Sequence, residues 1–258
     1  MRDLNVAIIQ AEIAWHAPEE NLSRFDTLIR RLEGPVDLVL LPEMFATGFT
    51  MEPGSVAEDM EGPAILRMRE WAVSLGADIA GSLAIAEGGY YYNRLVWVRS
   101  DGVIATYDKR HLFRMAGEDR VYLPGSETIT VETRGWKLRP FICYDLRFPA
   151  WTRNAGMEYD AAVFVANWPA KRSLHWEALL TARAIENQCY VIGVNRVGTD
   201  GNGVAYRGDS MAVDYEGTIL ATMGEGEGAM KVVLSKESLE EYRAAFPAWK
   251  DADQYIFT

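Results

Sequence analysis

Short, uninterrupted apolar runs limit what this chain can fold into. After their leading aspartates, Asp37–Leu41 (DLVLL) and Asp160–Ala166 (DAAVFVA) contain no polar residue. Neither face of such a strand can meet water, so both runs belong in sheets covered on two sides. Between the runs lie segments with helical spacing. Leu22, Phe25, Leu28, Ile29 and Leu32 form one stripe behind Pro18 and an acidic first turn, Glu19-Glu20. Ile65, Met68, Trp71, Ala72 and Leu75 form a second behind Pro63. Leu174–Gln188 and Ser235–Phe246 read as two further helices, and an aromatic tail to Thr258 is expected to fray or to dock on a partner. Strands are expected at Leu4–Gln10, Asp78–Ala86, Tyr90–Arg99, Gly102–Tyr107, Cys189–Val197 and Met230–Leu234. Ser210–Asp214 and Thr218–Met223 predict a hairpin around Glu216-Gly217. The alternation gives an α/β class, with sheets sandwiched between helix layers. There is no short repeat, low-complexity linker or break, so one domain over residues 1–258 is expected.

Three of the apolar runs end in a reactive side chain. Leu138–Pro149 reads LRPFICYDLRFP, a buried strand that stops at Cys143 and turns. Glu43 follows Asp37–Leu41, and Lys109 follows Gly102–Tyr107. Taken singly, each has a plain structural explanation: an inert core thiol, a solvated acid, a solvated lysine. Taken together they make a chemical unit, because strand ends far apart in sequence can converge in an open sheet. The ammonium would depress the thiol pKa and stabilise a negative oxygen. The carboxylate would take the thiol proton and return it to a leaving amine.

These segments carry a resemblance. LPEMF around Glu43, YDKRHLF around Lys109 and ICYDLRFP around Cys143 are similar, in order, to the three motifs of the nitrilase superfamily of carbon–nitrogen hydrolases. The likeness runs through NWPAKR, ARAIENQ and the GDS stretch at Gly208–Ser210. CYDLRFP, VANWP, HWEALLTARAIENQ and NRVGTDGNG resemble its omega-amidase branch. The resemblance implies an αββα sandwich, a homodimer paired through its flanking helices, and no metal or organic cofactor. It implies hydrolysis of the terminal amide of short 2-oxo acid amides, 2-oxoglutaramate and 2-oxosuccinamate, through a cysteine thioester. Cys143 would be the nucleophile, Glu43 the general base and acid, and Lys109 with the backbone N–H of Tyr144 the oxyanion donors. Glu118 would match the family's second glutamate. For the far carboxylate of the substrate the candidates are Arg172, which lies beyond a strand tip, and Arg147. Trp168 and Phe45 would wall the acyl chain.

Other readings stay open at this point. An N-carbamoyl amine hydrolase or an aliphatic amidase would use the same catalytic groups, and an idle hydrolase-like scaffold would need none of them. His111 and His175 invite a Cys–His hydrolase, but the local signatures are absent. No His/Cys pair has metal-ligand spacing, and Gly224, Gly226 and Gly228 read as a turn, not a phosphate loop. With 37 acidic against 26 basic side chains, a net charge of -11, nucleic acid and anionic membrane surfaces are disfavoured as partners. Two cysteines, the lack of a signal-peptide pattern in MRDLNVAIIQ and the absence of a membrane-length apolar run predict a cytoplasmic protein acting on a small amide.

Overall fold

Alternation along the first strand, β1 (Leu4–Gln10), sets out the layers. Leu4, Val6 and Ile8 point into a core shared with a second sheet, while Ala7 and Ile9 face helices. The computed structural model describes residues 2–253; the end of the aromatic tail lies outside them.

The first sheet has the order β14-β1-β2-β3-β4-β5, with β2 Leu38–Leu40, β3 Asp78–Glu87, β4 Tyr90–Val98, β5 Ile104–Asp108 and β14 Gly228–Leu234. β1, β2 and β3 run parallel; β4, β5 and β14 are antiparallel to their neighbours. The second sheet has the order β13-β12-β9-β8-β7-β6, with β6 Val131–Thr133, β7 Trp136–Ile142, β8 Ala161–Val165, β9 Tyr190–Val194, β12 Met211–Val213 and β13 Ile219–Thr222. Its centre, β7-β8-β9, is parallel. A separate ribbon pairs β10 (Val197–Thr199) with β11 (Ala205–Arg207).

Helices α1 (Pro18–Arg30) and α2 (Pro63–Leu75) cover the outer face of the first sheet through Phe25, Ile29, Ile65, Met68 and Trp71. Helix α3 (Ser173–Asn187) covers the outer face of the second through Trp176 and Leu180. The result is helix, sheet, sheet, helix, the expected αββα sandwich. A fourth helix, α4 (Lys236–Ala245), opens on a Ser235 side-chain cap and buries Leu239. Among the described residues no helix is long and apolar enough to cross a membrane.

The strand expected over Cys189–Val197 stops at Val194, because Asn195 leaves the ladder. Its N–H donates to Ser210 Oγ at 2.9 Å, and its side chain donates to the carbonyls of Trp168 and Gly208. Val197 instead opens the ribbon, and β14 begins two residues before the expected Met230. The hairpin forms as expected: Asp214 Oδ1 accepts from Glu216 and Thr218 N–H, and Gly217 takes φ 90°. Gly224 and Gly226 lie in the expected turn, their carbonyls accepting from Gln10 Nε2 at 2.8 and 2.7 Å, but Gly228 opens β14, paired with Gln10.

Gly193 lets α3 lie against β9. A Cβ there would meet Leu180 and come within 2.6 Å of Trp176. Gly193→Ala should therefore destabilise the protein by about 1–3 kcal/mol through overpacking. Urea unfolding would measure it, and an unchanged midpoint would mean that α3 is free to shift.

Candidate active site

Strands of both sheets deliver their C-terminal ends to one place, β5 among them because it runs in the direction of β2 and β3 although its neighbour β4 is antiparallel. Glu43 lies just beyond β2, Lys109 follows β5, Cys143 follows β7 and Asn167 lies just beyond β8. They line one cavity of about 500 Å³ with Phe49, Phe113, Tyr144, Arg147, Trp168 and Arg172.

At its floor Lys109 Nζ donates to Glu43 Oε1 at 2.8 Å and to both Glu118 oxygens at 3.0 Å. The three side chains are 1%, 1% and 0% exposed, so all three charges are withdrawn from water. Burial alone would lower the Lys109 pKa, but the carboxylates of Glu118 and Glu43 outweigh it and hold the ammonium above the ordinary lysine value. Burial raises the carboxyl of Glu118, an effect that Lys109 partly offsets.

Two carboxylates around one cation leave an uncompensated negative charge, and neutral donors meet it. Asn93 Nδ2 donates to Glu43 Oε1 at 2.8 Å and Glu118 Oε1 at 3.0 Å. Its orientation is fixed, because its Oδ1 accepts from Ser82 Oγ at 2.9 Å, which in turn accepts from Met44 N–H. Asn167 N–H donates to Glu43 Oε2 at 2.8 Å, and Phe113 N–H donates to Glu118 Oε2 at 2.5 Å. Asn93 and Ser82 belong to none of the sequence motifs. Asn93 shares the inner face of β4 with Leu95 and Trp97, and a polar residue at that step of an apolar strand was the available signal.

Cys143 stands on a strained corner, with φ 42°; Met44, beside Glu43, has φ 44°. Asp145 secures the corner. Its Oδ2 accepts from Ile142 N–H at 3.0 Å and Tyr107 OH at 2.7 Å, and its Oδ1 accepts from His111 N–H at 3.0 Å. One carboxylate thus ties the cysteine turn to the end of β5, from which Lys109 departs. The His111 ring is taken up by Asp145 at 2.8 Å and stacks on Phe148, while His175 is exposed and receives Arg147 Nη2 at 3.1 Å. Neither ring is a base for Cys143.

The thiol differs from expectation. Burial, then the Glu43 carboxylate, push Cys143 well above the ordinary thiol value, although Lys109 pulls it down. Lys109 cannot prevail because two carboxylates already neutralise it. Phe45 differs too: it packs inside the helix-side core against Phe25 at 5.4 Å and Trp71 at 6.5 Å, away from the cavity. Phe49 and Phe113 take the wall beside Trp168. Arg147 lies over Trp168 at 4.7 Å and Arg172 over Phe113 at 5.4 Å. Among the described residues no carboxylate forms a salt bridge with either. Burial, then repulsion from Arg172, lower the Arg147 pKa.

A thiol so placed stays protonated in the resting protein. Difference ultraviolet titration against Cys143→Ala should therefore show no thiolate signal from Cys143 between about pH 6 and 8, below the unperturbed thiol range. A thiolate step within that window would contradict the account.

The carbon–nitrogen hydrolase family model matches residues 5–244. The chain is 48% identical to the omega-amidase YafV of Escherichia coli K12, over 99% of both chains. It is 32% identical to a 2-oxoglutaramate amidase of Bacillus subtilis, over 98% of both. Among solved structures, it superposes at TM-score 0.98 and 42% identity on a CN-hydrolase superfamily protein of Xanthomonas campestris with an arsenic adduct in its active site, over the whole of both chains. A nitrilase superfamily member of Saccharomyces cerevisiae gives TM-score 0.88 at 26% identity, covering 99% of this chain and 97% of that one. The chain belongs to the carbon–nitrogen hydrolase family, the nitrilase superfamily, beside the omega-amidases, and is a hydrolase of carbon–nitrogen bonds.

Proposed function

We propose that the enzyme is an omega-amidase that hydrolyses the terminal amide of 2-oxoglutaramate and 2-oxosuccinamate, releasing ammonia and the 2-oxo dicarboxylate. The observation that carries this reading is the pairing of a buried Glu43–Lys109–Glu118 cluster with two arginines, free of salt bridges among the described residues, on the wall of the same cavity. A substrate with an amide at one end and a carboxylate at the other matches that polarity. The relatives named for omega-amidase and 2-oxoglutaramate amidase activity support it.

In this mechanism Cys143 Sγ attacks the amide carbon while Glu43 takes the thiol proton. The proton is thus removed during attack, as a thiol raised by burial requires. Lys109 can share one N–H between the two Glu118 oxygens and give one to Glu43, which leaves a third for the oxyanion. The N–H of Tyr144 is the second oxyanion donor. Glu43 passes the proton to nitrogen, ammonia leaves, and a water activated by Glu43 opens the thioester. Glu118 positions Lys109. Arg172 and Arg147 receive the substrate carboxylate, and Trp168 flanks the acyl chain.

We propose further that the chain acts as one hydrolase domain, in a cytoplasmic homodimer. The dimer reading is supported by the exposed apolar side chains of Leu174 and Ile185 on α3, 77% and 49% exposed, and of Ile219 and Leu220 on β13.

Ammonia release from 2-oxoglutaramate, glutamine, asparagine, a simple aliphatic amide and an N-carbamoyl amine tests the activity, with Cys143→Ala as control. Turnover should favour the 2-oxo amide and vanish in the control; preference for the carbamoyl compound would overturn the reading. Lys109→Ala should cost at least about a hundredfold in rate. Arg172→Ala should raise KM for 2-oxoglutaramate about tenfold or more and leave the aliphatic amide unchanged. Equal effects on both would remove Arg172 from the carboxylate site.

A further inference from the structure

Asn167 has one side-chain polar atom left over. Its N–H donates to Glu43 Oε2 at 2.8 Å, and its Nδ2 donates to the Glu43 carbonyl oxygen at 2.6 Å. The second bond fixes which way the side-chain amide faces, so Oδ1 is the remaining atom. That oxygen is buried and has no hydrogen-bond partner among the described residues, in a side chain that is 5% exposed and lines the cavity with Cys143 and Glu43. Buried carbonyl oxygens are seldom left without a donor. Here the vacancy for a donor lies beside the group that moves the proton.

We propose that Asn167 Oδ1 accepts a hydrogen from the nitrogen of the scissile amide and so selects amides over esters. The inference rests on the amidase reading and adds to it a specificity-determining residue. When Sγ attacks, the C–S bond forms and the thiol proton moves to Glu43. The amide nitrogen becomes pyramidal, keeps its two hydrogens and gains a free lone pair. That lone pair must face Glu43 to receive the proton before the C–N bond breaks and ammonia leaves. Rotation about the C–N bond would otherwise spread it over several directions. One N–H held by Oδ1 removes this freedom, and the two bonds between Asn167 and Glu43 keep acceptor and proton donor in a fixed relation. An ester oxygen has no hydrogen to offer. It would set lone pairs against the lone pairs of Oδ1, a repulsion that rejects the wrong bond as well as favouring the right one.

The measurement is kcat/KM for an amide and for its methyl ester, in the unsubstituted enzyme and in Asn167→Ala. Because kcat/KM ends at acylation, the shared thioester does not enter. A residue that only positions Glu43 would slow the amide and its N,N-dimethyl counterpart alike, since both nitrogens must be protonated to leave, so the dimethyl amide, which has no hydrogen to offer Oδ1, is measured beside them and should be slowed less. A residue that receives the amide hydrogen should lower the amide-to-ester ratio by about tenfold or more. If Asn167→Ala does not fold, Asn167→Ser provides the test: its short hydroxyl does not reach the place of Oδ1, and the same fall is expected. An unchanged ratio in the folded variant overturns the proposal. The pair is chosen from the best amide of the substrate panel, so a wrong acyl group shows in the unsubstituted enzyme and a wrong role for Asn167 shows in the ratio.

Discussion

Lys109 stands between Glu43 and Glu118, 2.8 and 3.0 Å from their oxygens, with all three side chains removed from water. A buried ion pair is not in itself a gain in stability, since desolvation offsets much of the attraction. Breaking one is different: an unpaired buried charge costs about 3–5 kcal/mol. The cluster therefore cannot rearrange piecemeal. It holds two strand ends, those of β2 and β5, and the loop after β5 at fixed separations. Asn93, Asn167 and Phe113 N–H supply neutral donors to the two carboxylates without adding a charge.

The state of the Cys143 thiol follows from that balance. A cation beside a cysteine ordinarily favours the thiolate, but here the cation is shared by two anions and the sulfur is buried. Storing a thiolate would add another negative charge to a site already short of positive charge. In the proposed mechanism the proton leaves only at the moment of attack, which avoids this and gives Glu43 the proton that the leaving nitrogen needs. Asp145 has a quieter part. By tying Ile142, Tyr107 and His111 together, it keeps the strained Cys143 corner in register with the loop that carries Lys109.

Much of this was legible in the residues. Asp37–Leu41 and Asp160–Ala166 had to be buried, and the run ends carrying Glu43, Lys109 and Cys143 could converge, whereas Asn167, at the end of Asp160–Ala166, was not among the candidates. Side-chain direction in irregular backbone was not legible. Phe45 and Phe49 sit four residues apart in a turn with no period, and only the fold sends Phe45 to the helix layer and Phe49 to the cavity. Asn93 escaped because its partners lie on other elements: Ser82 on the neighbouring strand, Glu43 and Glu118 in loops. The thiol was misjudged for a related reason. Sequence shows which charges are near, not how far they cancel.

The central claim is that Cys143 carries the acyl group through the reaction. Rapid acid quenching during turnover of 2-oxoglutaramate, followed by mass spectrometry of the peptide containing Cys143, tests it most directly. A 2-oxoglutaryl adduct on that peptide, absent without substrate and cleared when substrate runs out, is the predicted result. Steady ammonia release by an enzyme whose Cys143 never becomes acylated, or release that persists in Cys143→Ala, would contradict it.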